Sequence, residues 1–265
     1  MKRKALILGA TGYLGSEVVN NAPENLVLYF GSRDVRIAGH NQVMVDLLDY
    51  DTVKKAIADI APDIIIHSAR LGEFDDDPVK AKEVTANLVS SIKSVSARLI
   101  YMSSDAVFDG TKGEYKEDSR GNPVTDYGRA KLAAENVIKS EMDNYTIIRA
   151  GYIYGVGAKG MDRRCEKILA ETKDGKKVKR FNDVFRTPIH VTKLAKFIWK
   201  LVGSDFKGII HVGEEKQSVY QFSQKILKDA GADSSLVESD SARDKGLNIA
   251  IDTSLNTKLY HTLIK

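Results

Sequence analysis

Short, largely apolar runs alternate with longer polar or amphipathic segments through the first 150 residues. The runs fall at residues 5–8, 26–30, 43–47, 63–67, 99–102 and 146–149. Ile64-Ile65-Ile66 and Leu99-Ile100-Tyr101-Met102 carry no polar residue on an alternate face, the pattern of strands covered on both sides. Between them, periodicity predicts helices over residues 51–60 and 79–95, and a third beginning at Tyr127. Strand–helix alternation of this kind predicts an α/β fold with a doubly wound parallel sheet, which receives ligands at the carboxyl ends of its strands.

The pattern changes after residue 150. A glycine-spaced loop, Tyr154-Gly155-Val156-Gly157-Ala158-Lys159-Gly160, precedes a predicted helix over 161–172 and a basic run over 173–179. A short strand near 178–181, a helix over 192–202, a strand over 208–212 and a helix over 219–230 follow. The tail beyond Ser234 is polar, with a final helix from Ser254. The sequence therefore divides into a main unit, 1–150, and a small C-terminal α/β portion, 151–265, with 181–202 and 208–212 returning to the main sheet.

The first strand runs directly into Gly9-Ala10-Thr11-Gly12-Tyr13-Leu14-Gly15 and then a helix start. That context gives a glycine motif its chemistry: Gly9 for the tight turn, Gly12 for backbone approach to a pyrophosphate, Gly15 for close helix–strand packing. The free N–H groups at the helix start favour phosphate. Unit 1–150 thus reads as a dinucleotide-binding domain of Rossmann type, and the C-terminal portion as mainly substrate-binding. After the second strand come Ser32 and Arg33, a hydroxyl and a guanidinium suited to a 2′-phosphate. NADP(H) is favoured on that ground; Asp34 behind them keeps NAD(H) open. Asp46 and Leu47 fall where an adenine edge would lie, and Ser68, Ala69 and Arg70 where a cofactor would cross the sheet edge. His67, ending an apolar strand, reads as a hydrogen-bonded core histidine.

Tyr127 and Lys131 stand at i and i+4 in a strongly helix-forming stretch, so both project from one helix face. An ammonium one turn from a phenol favours the phenolate, and a serine from a strand end, Ser103 or Ser104, could hold a carbonyl oxygen beside it. Such a set moves a proton while a cofactor moves a hydride.

Composition narrows the field. The chain has 265 residues, 29% of them charged, a net charge of +4 and one cysteine, Cys165. Charges of both signs are interspersed, which speaks against nucleic acid as a partner. No internal disulfide can form and no metal site is implied. Asp75-Asp76-Asp77 fits a loop and helix cap better than a metal cluster. The N-terminal apolar run is too short for a signal peptide and no run approaches a membrane span, so a cytoplasmic protein is expected.

With these residues in view, the chain resembles the extended short-chain dehydrogenase/reductase family. The resemblance is strongest to its dTDP-4-dehydrorhamnose reductase-like branch. It rests on the early glycine turn, Ser103-Ser104-Asp105-Ala106-Val107-Phe108-Asp109-Gly110, Tyr127 to Lys131, Arg149 to Gly155, Arg186-Thr187-Pro188, and residues 208–212. The resemblance implies Ser104, Tyr127 and Lys131 as catalytic residues, with Asn87, Tyr127 and Lys131 touching the cofactor. It implies a nucleotide-sugar substrate touched by Ser104, Asp105, Val107, Tyr127 and Arg186, with residues 159–164 and the Arg186 loop near the diphosphate. The implied activity is NADP(H)-dependent reduction of a 4-keto group on a nucleotide-linked deoxysugar. An epimerase retaining NAD and a non-catalytic NADP-binding regulatory subunit are the alternatives, and a homodimer is left open. Two departures stand out. Arg70 replaces a second small residue, and the chain stops soon after Leu263, which predicts a trimmed substrate end.

Overall fold

A computed structural model describes residues 2–33 and 41–265. Its centre is a seven-stranded, wholly parallel sheet built from β1 (Arg3–Leu8), β2 (Leu26–Ser32), β3 (Asn41–Met44), β4 (Ile64–His67), β5 (Arg98–Ser104), β6 (Tyr145–Ala150) and β7 (Gly208–Val212). The order is β7-β6-β5-β4-β1-β2-β3, with the chain reversing direction of travel between β1 and β4. That reversal leaves a crevice above the carboxyl ends of the two strands.

Helices cover both faces because both faces are apolar. On one face α1 (Tyr13–Asn20), α6 (Val191–Val202) and α8 (Lys258–Leu263) close over Ile7, Ile66, Ile100, Ile148 and Ile210. On the other, α2 (Tyr50–Ile60), α3 (Pro78–Val95) and α4 (Asp126–Glu141) close over Leu6, Leu8, Ile65, Leu99 and Ile147. Each fully buried isoleucine or leucine contributes roughly 1.5–3 kcal/mol. Asp77 caps α3, accepting from the N–H groups of Val79 and Lys80 at 2.9 Å, so one of the three aspartates has the expected capping role.

The smaller portion, with α5 (Arg163–Glu171) and α7 (Val219–Asp229), has its own apolar cluster of Tyr154, Cys165, Ile168, Phe222 and Leu227. Residues 178–181 pair in parallel with 237–240, and 185–186 pair antiparallel with 217–218. The stretch 181–186 therefore stays with the small portion, and the chain rejoins the main body through α6 and β7. The tail beyond Ser234 is less irregular than its polarity predicts, since Val237 is buried in that strand pair. The third strand ends at Met44 instead of Leu47, because Asp46 accepts from the Leu48 N–H at 3.0 Å and turns the chain. Among the described residues no helix is long and apolar enough to cross a membrane, and no group of three or more His, Cys, Asp or Glu could hold a metal ion.

Candidate active site

A cleft of about 1270 Å³ opens above the carboxyl ends of β1, β2, β4, β5 and β6, with the small portion as its far wall. The glycine turn forms its floor. Gly9 has φ +83°, and a Cβ there would lie 2.6 Å from the backbone of Ala69. A Cβ on Gly15 would lie 2.0 Å from the Gly9 carbonyl, so α1 can begin against the turn only with glycine at that position. No side chain caps the first turn of α1, which leaves its amides to a ligand phosphate.

Of the residues the sequence singles out for cofactor or substrate, the cleft brings together Gly9, Thr11, Gly12, Tyr13, Leu14, Ser32, Arg33, Asp46, Leu47, Ser68, Ala69, Arg70, Ser104, Asp105, Tyr127, Lys131 and Arg186. Three are not among its lining. Gly15 supports the turn from behind. Asn87 sits half-buried on α3, its backbone carbonyl accepting from the Ser91 hydroxyl. Val107 is fully buried with Phe108, Tyr115 and Leu255, because the turn over 105–107 points its last side chain inward. The Val107 side chain is therefore kept off the cleft surface. Asp34 lies outside the described residues.

Strand alternation separates the two serines. Ser103 turns into the interior and donates to Glu135 at 2.5 Å. Ser104 faces the cleft, where its hydroxyl donates to Asp105 Oδ1 at 3.0 Å, accepts from the Ala106 N–H at 3.2 Å and stands beside the Tyr127 phenol. Tyr127 reaches this point because Gly128 lets α4 abut the 105–107 turn. A Cβ there would lie 2.1 Å from the Ala106 carbonyl. Sequence reading missed Gly128; its signal was a glycine beside the candidate tyrosine inside an otherwise strong helix former.

Lys131 donates to the Met102 carbonyl at 3.1 Å and lies 5.7 Å from the centre of the Tyr127 ring. Burial lowers its pKa to about 8. Tyr127 departs from the simple expectation of a cation-lowered phenol. Burial raises it, and the foremost group opposing that rise is Arg70, the residue that departs from the branch's small side chain. Arg70 is held by an ion pair with Asp75, which also accepts from the Leu71 N–H at 2.6 Å. His67 is buried as expected, but among the described residues its Nδ1 has no hydrogen-bond partner; it meets the Tyr101 ring edge-on, and burial lowers its pKa to about 3.

The far wall is basic and aromatic. Tyr152 lies 4.6 Å from the Arg164 guanidinium and 5.9 Å from that of Arg186. The loop beneath is tied to the glycine-turn helix: Tyr13 donates to the Gly155 carbonyl at 2.7 Å, and Glu17 accepts from the Ala158 N–H at 2.8 Å and the Thr192 hydroxyl at 2.7 Å.

Residues 3–251 match the family model described as the RmlD substrate binding domain. A methionine adenosyltransferase 2 subunit beta of Xenopus laevis is 32% identical, the match covering 83% of this chain and 70% of that protein. The match to its Xenopus tropicalis counterpart, 37% identical, covers 58% of this chain and about half (48%) of that protein. The spore coat polysaccharide biosynthesis protein SpsK of Bacillus subtilis is 28% identical, with 88% and 82% covered. Among solved structures, a hypothetical dTDP-4-dehydrorhamnose reductase from Sulfolobus tokodaii superposes with a TM-score of 0.82 at 28% identity, covering 98% of this chain and 94% of that one. The dTDP-4-dehydrorhamnose reductase of Bacillus anthracis, in complex with NADP, superposes with a TM-score of 0.83 at 23% identity, covering 99% and 93%, and speaks to the fold alone.

Proposed function

The chain belongs to the RmlD substrate binding domain family, within the dTDP-4-dehydrorhamnose reductase-like branch of the extended short-chain dehydrogenases/reductases, and from that premise we propose that it reduces the 4-keto group of a nucleotide-linked deoxysugar with NADPH. One observation carries the reading: Ser104, Tyr127 and Lys131 line the same cleft as the glycine turn and the arginines of the far wall.

The cofactor fits the residues present. The positive φ of Gly9, the uncapped first turn of α1, and Ser32 with Arg33 at the end of β2 suit a dinucleotide carrying a 2′-phosphate. Bound there, it supplies the hydride. Tyr127 gives its proton to the carbonyl oxygen, and Ser104 orients that oxygen. Lys131 helps balance the phenolate left behind, and its buried ammonium also suits the cofactor's ribose. Arg164, Arg186 and Tyr152 hold the nucleotide diphosphate, Arg186 less freely than the others because it also donates to the carbonyls of Phe185, Ala250 and Ile251.

Tyr127→Phe tests the reading. It should lower NADPH oxidation with a keto-sugar by about 10²–10⁴-fold while leaving NADPH binding in place; undiminished turnover would end it. Arg33→Ala should cut the preference for NADPH over NADH by about tenfold or more, measured by calorimetry, since a charged hydrogen bond contributes roughly 1.5–3 kcal/mol.

The 32% identity to a methionine adenosyltransferase subunit favours one second reading, an NADP-binding subunit of a larger enzyme. Against it, a binding subunit has no chemical need of serine, phenol and ammonium at one point. Co-purification with a larger partner, and no turnover on a panel of dTDP-, UDP- and GDP-linked 4-keto-sugars, would establish it.

A further inference from the structure

Ser104 has one hydrogen to donate and two lone pairs to accept with. An ionised Asp105 can only accept, so the 3.0 Å contact between them takes the serine's single hydrogen. The Ala106 N–H occupies one of the serine's lone pairs. In that arrangement the serine has no hydrogen to offer a carbonyl oxygen. We propose that Asp105 sets the direction of the Ser104 hydrogen bond. As a carboxylic acid it donates to Ser104 Oγ and turns the serine hydrogen into the cleft.

The surroundings of Asp105 suit a carboxyl that can take up a proton. It is 6% exposed, and its second oxygen accepts from the Thr253 hydroxyl at 2.7 Å. The nearest cation, Arg186 on the 185–186 strand, stands 3.8 Å away at Nε, beyond hydrogen-bond reach, its other nitrogens turned to backbone carbonyls. Arg164 from α5 acts in the same direction from further off, and Tyr127 of α4 faces it as a neutral phenol. Burial outweighs both arginines and the two hydroxyl donors, so the carboxyl is held above the usual range of about 4. Asp105 is thus a positioning residue: the proton it takes up comes from solvent, and the proton delivered to substrate is still that of Tyr127.

The proposal rests on the reductase reading, and two readouts separate them. Infrared spectra of the protein with NADP⁺ bound should show a protonated carboxyl band that Asp105→Asn removes. The band should fade as pH rises, with a midpoint above that of an ordinary aspartic acid. Thr253→Val takes away a donor to the carboxylate and should move that midpoint up by about one further unit. In turnover, activity should fall as pH rises through the same midpoint. That limb should be displaced with it in Thr253→Val and absent in Asp105→Asn, whose amide donates at every pH. A missing band, a midpoint near 4, or the same limb in Asp105→Asn would overturn the proposal. A titrating band in a protein that reduces no keto-sugar would instead keep the proposal and remove the reductase reading.

Discussion

Two polar clusters sit back to back on β5 and behave in opposite ways. Behind the sheet edge, Ser103, Glu135, Arg149 and His211 are all nearly or wholly buried, and every charge is matched. Arg149 meets Glu135 through two nitrogens, at 2.9 and 2.7 Å. His211 closes the set with Nε2 3.4 Å from Arg149 and Nδ1 2.9 Å from the Tyr115 carbonyl. Since a guanidinium only donates and a carbonyl only accepts, the ring is neutral with its proton on Nδ1. In front, Ser104, Asp105, Tyr127 and Lys131 use the same kinds of group, but the lysine has no carboxylate partner and the carboxyl no guanidinium hydrogen bond. A closed network gives rigidity; an open one keeps groups ready to exchange protons.

The sharpest way to break the closed cluster is Glu135→Gln, which strands Arg149 without a counter-charge. It should cost about 3–5 kcal/mol of stability in denaturant unfolding; a loss under 1 kcal/mol would show that the pair is not sealed. The open cluster should respond in the other direction. Because Lys131 is lowered from 10.5 to about 8, the unfolded chain binds the extra proton between those values. Stability of the cofactor-free protein should therefore rise by roughly 3 kcal/mol from pH 8 to 10.5, and Lys131→Met should flatten the rise. A third test concerns His67, lowered from 6.5 to about 3. Folding excludes its proton, so stability should decline as pH falls from 6.5 toward 3. His67→Leu should lessen that slope by about 1.4 kcal/mol per pH unit.

These contrasts also mark what the sequence could reveal. Ile64-Ile65-Ile66 and its counterparts announced the sheet because a strand covered on both faces leaves no room for polar residues. Tyr127 and Lys131 were legible because helical spacing is local. The choice of Ser104 over Ser103 agrees with strand alternation, yet the reason Ser103 is occupied, a glutamate 32 residues on, is invisible in the string. Asp105 meets Thr253 across 148 residues, a pairing that only the assembled fold creates. Arg70 could be flagged as unusual, but its hold on Asp75 and its influence on the phenol depend on how the loop after β4 closes. Val107 shows the opposite failure, where position in a motif says nothing of which way a side chain turns.

The bonds from Tyr13 and Glu17 to residues 155, 158 and 192 make one short helix a shared party wall. The glycine-turn floor of the cleft and the loop of its far wall cannot be remodelled separately. Transplanting a relative's loop over 155–162 into this scaffold would need positions 13 and 17 to travel with it, or the graft would hang unmoored beside an intact glycine turn.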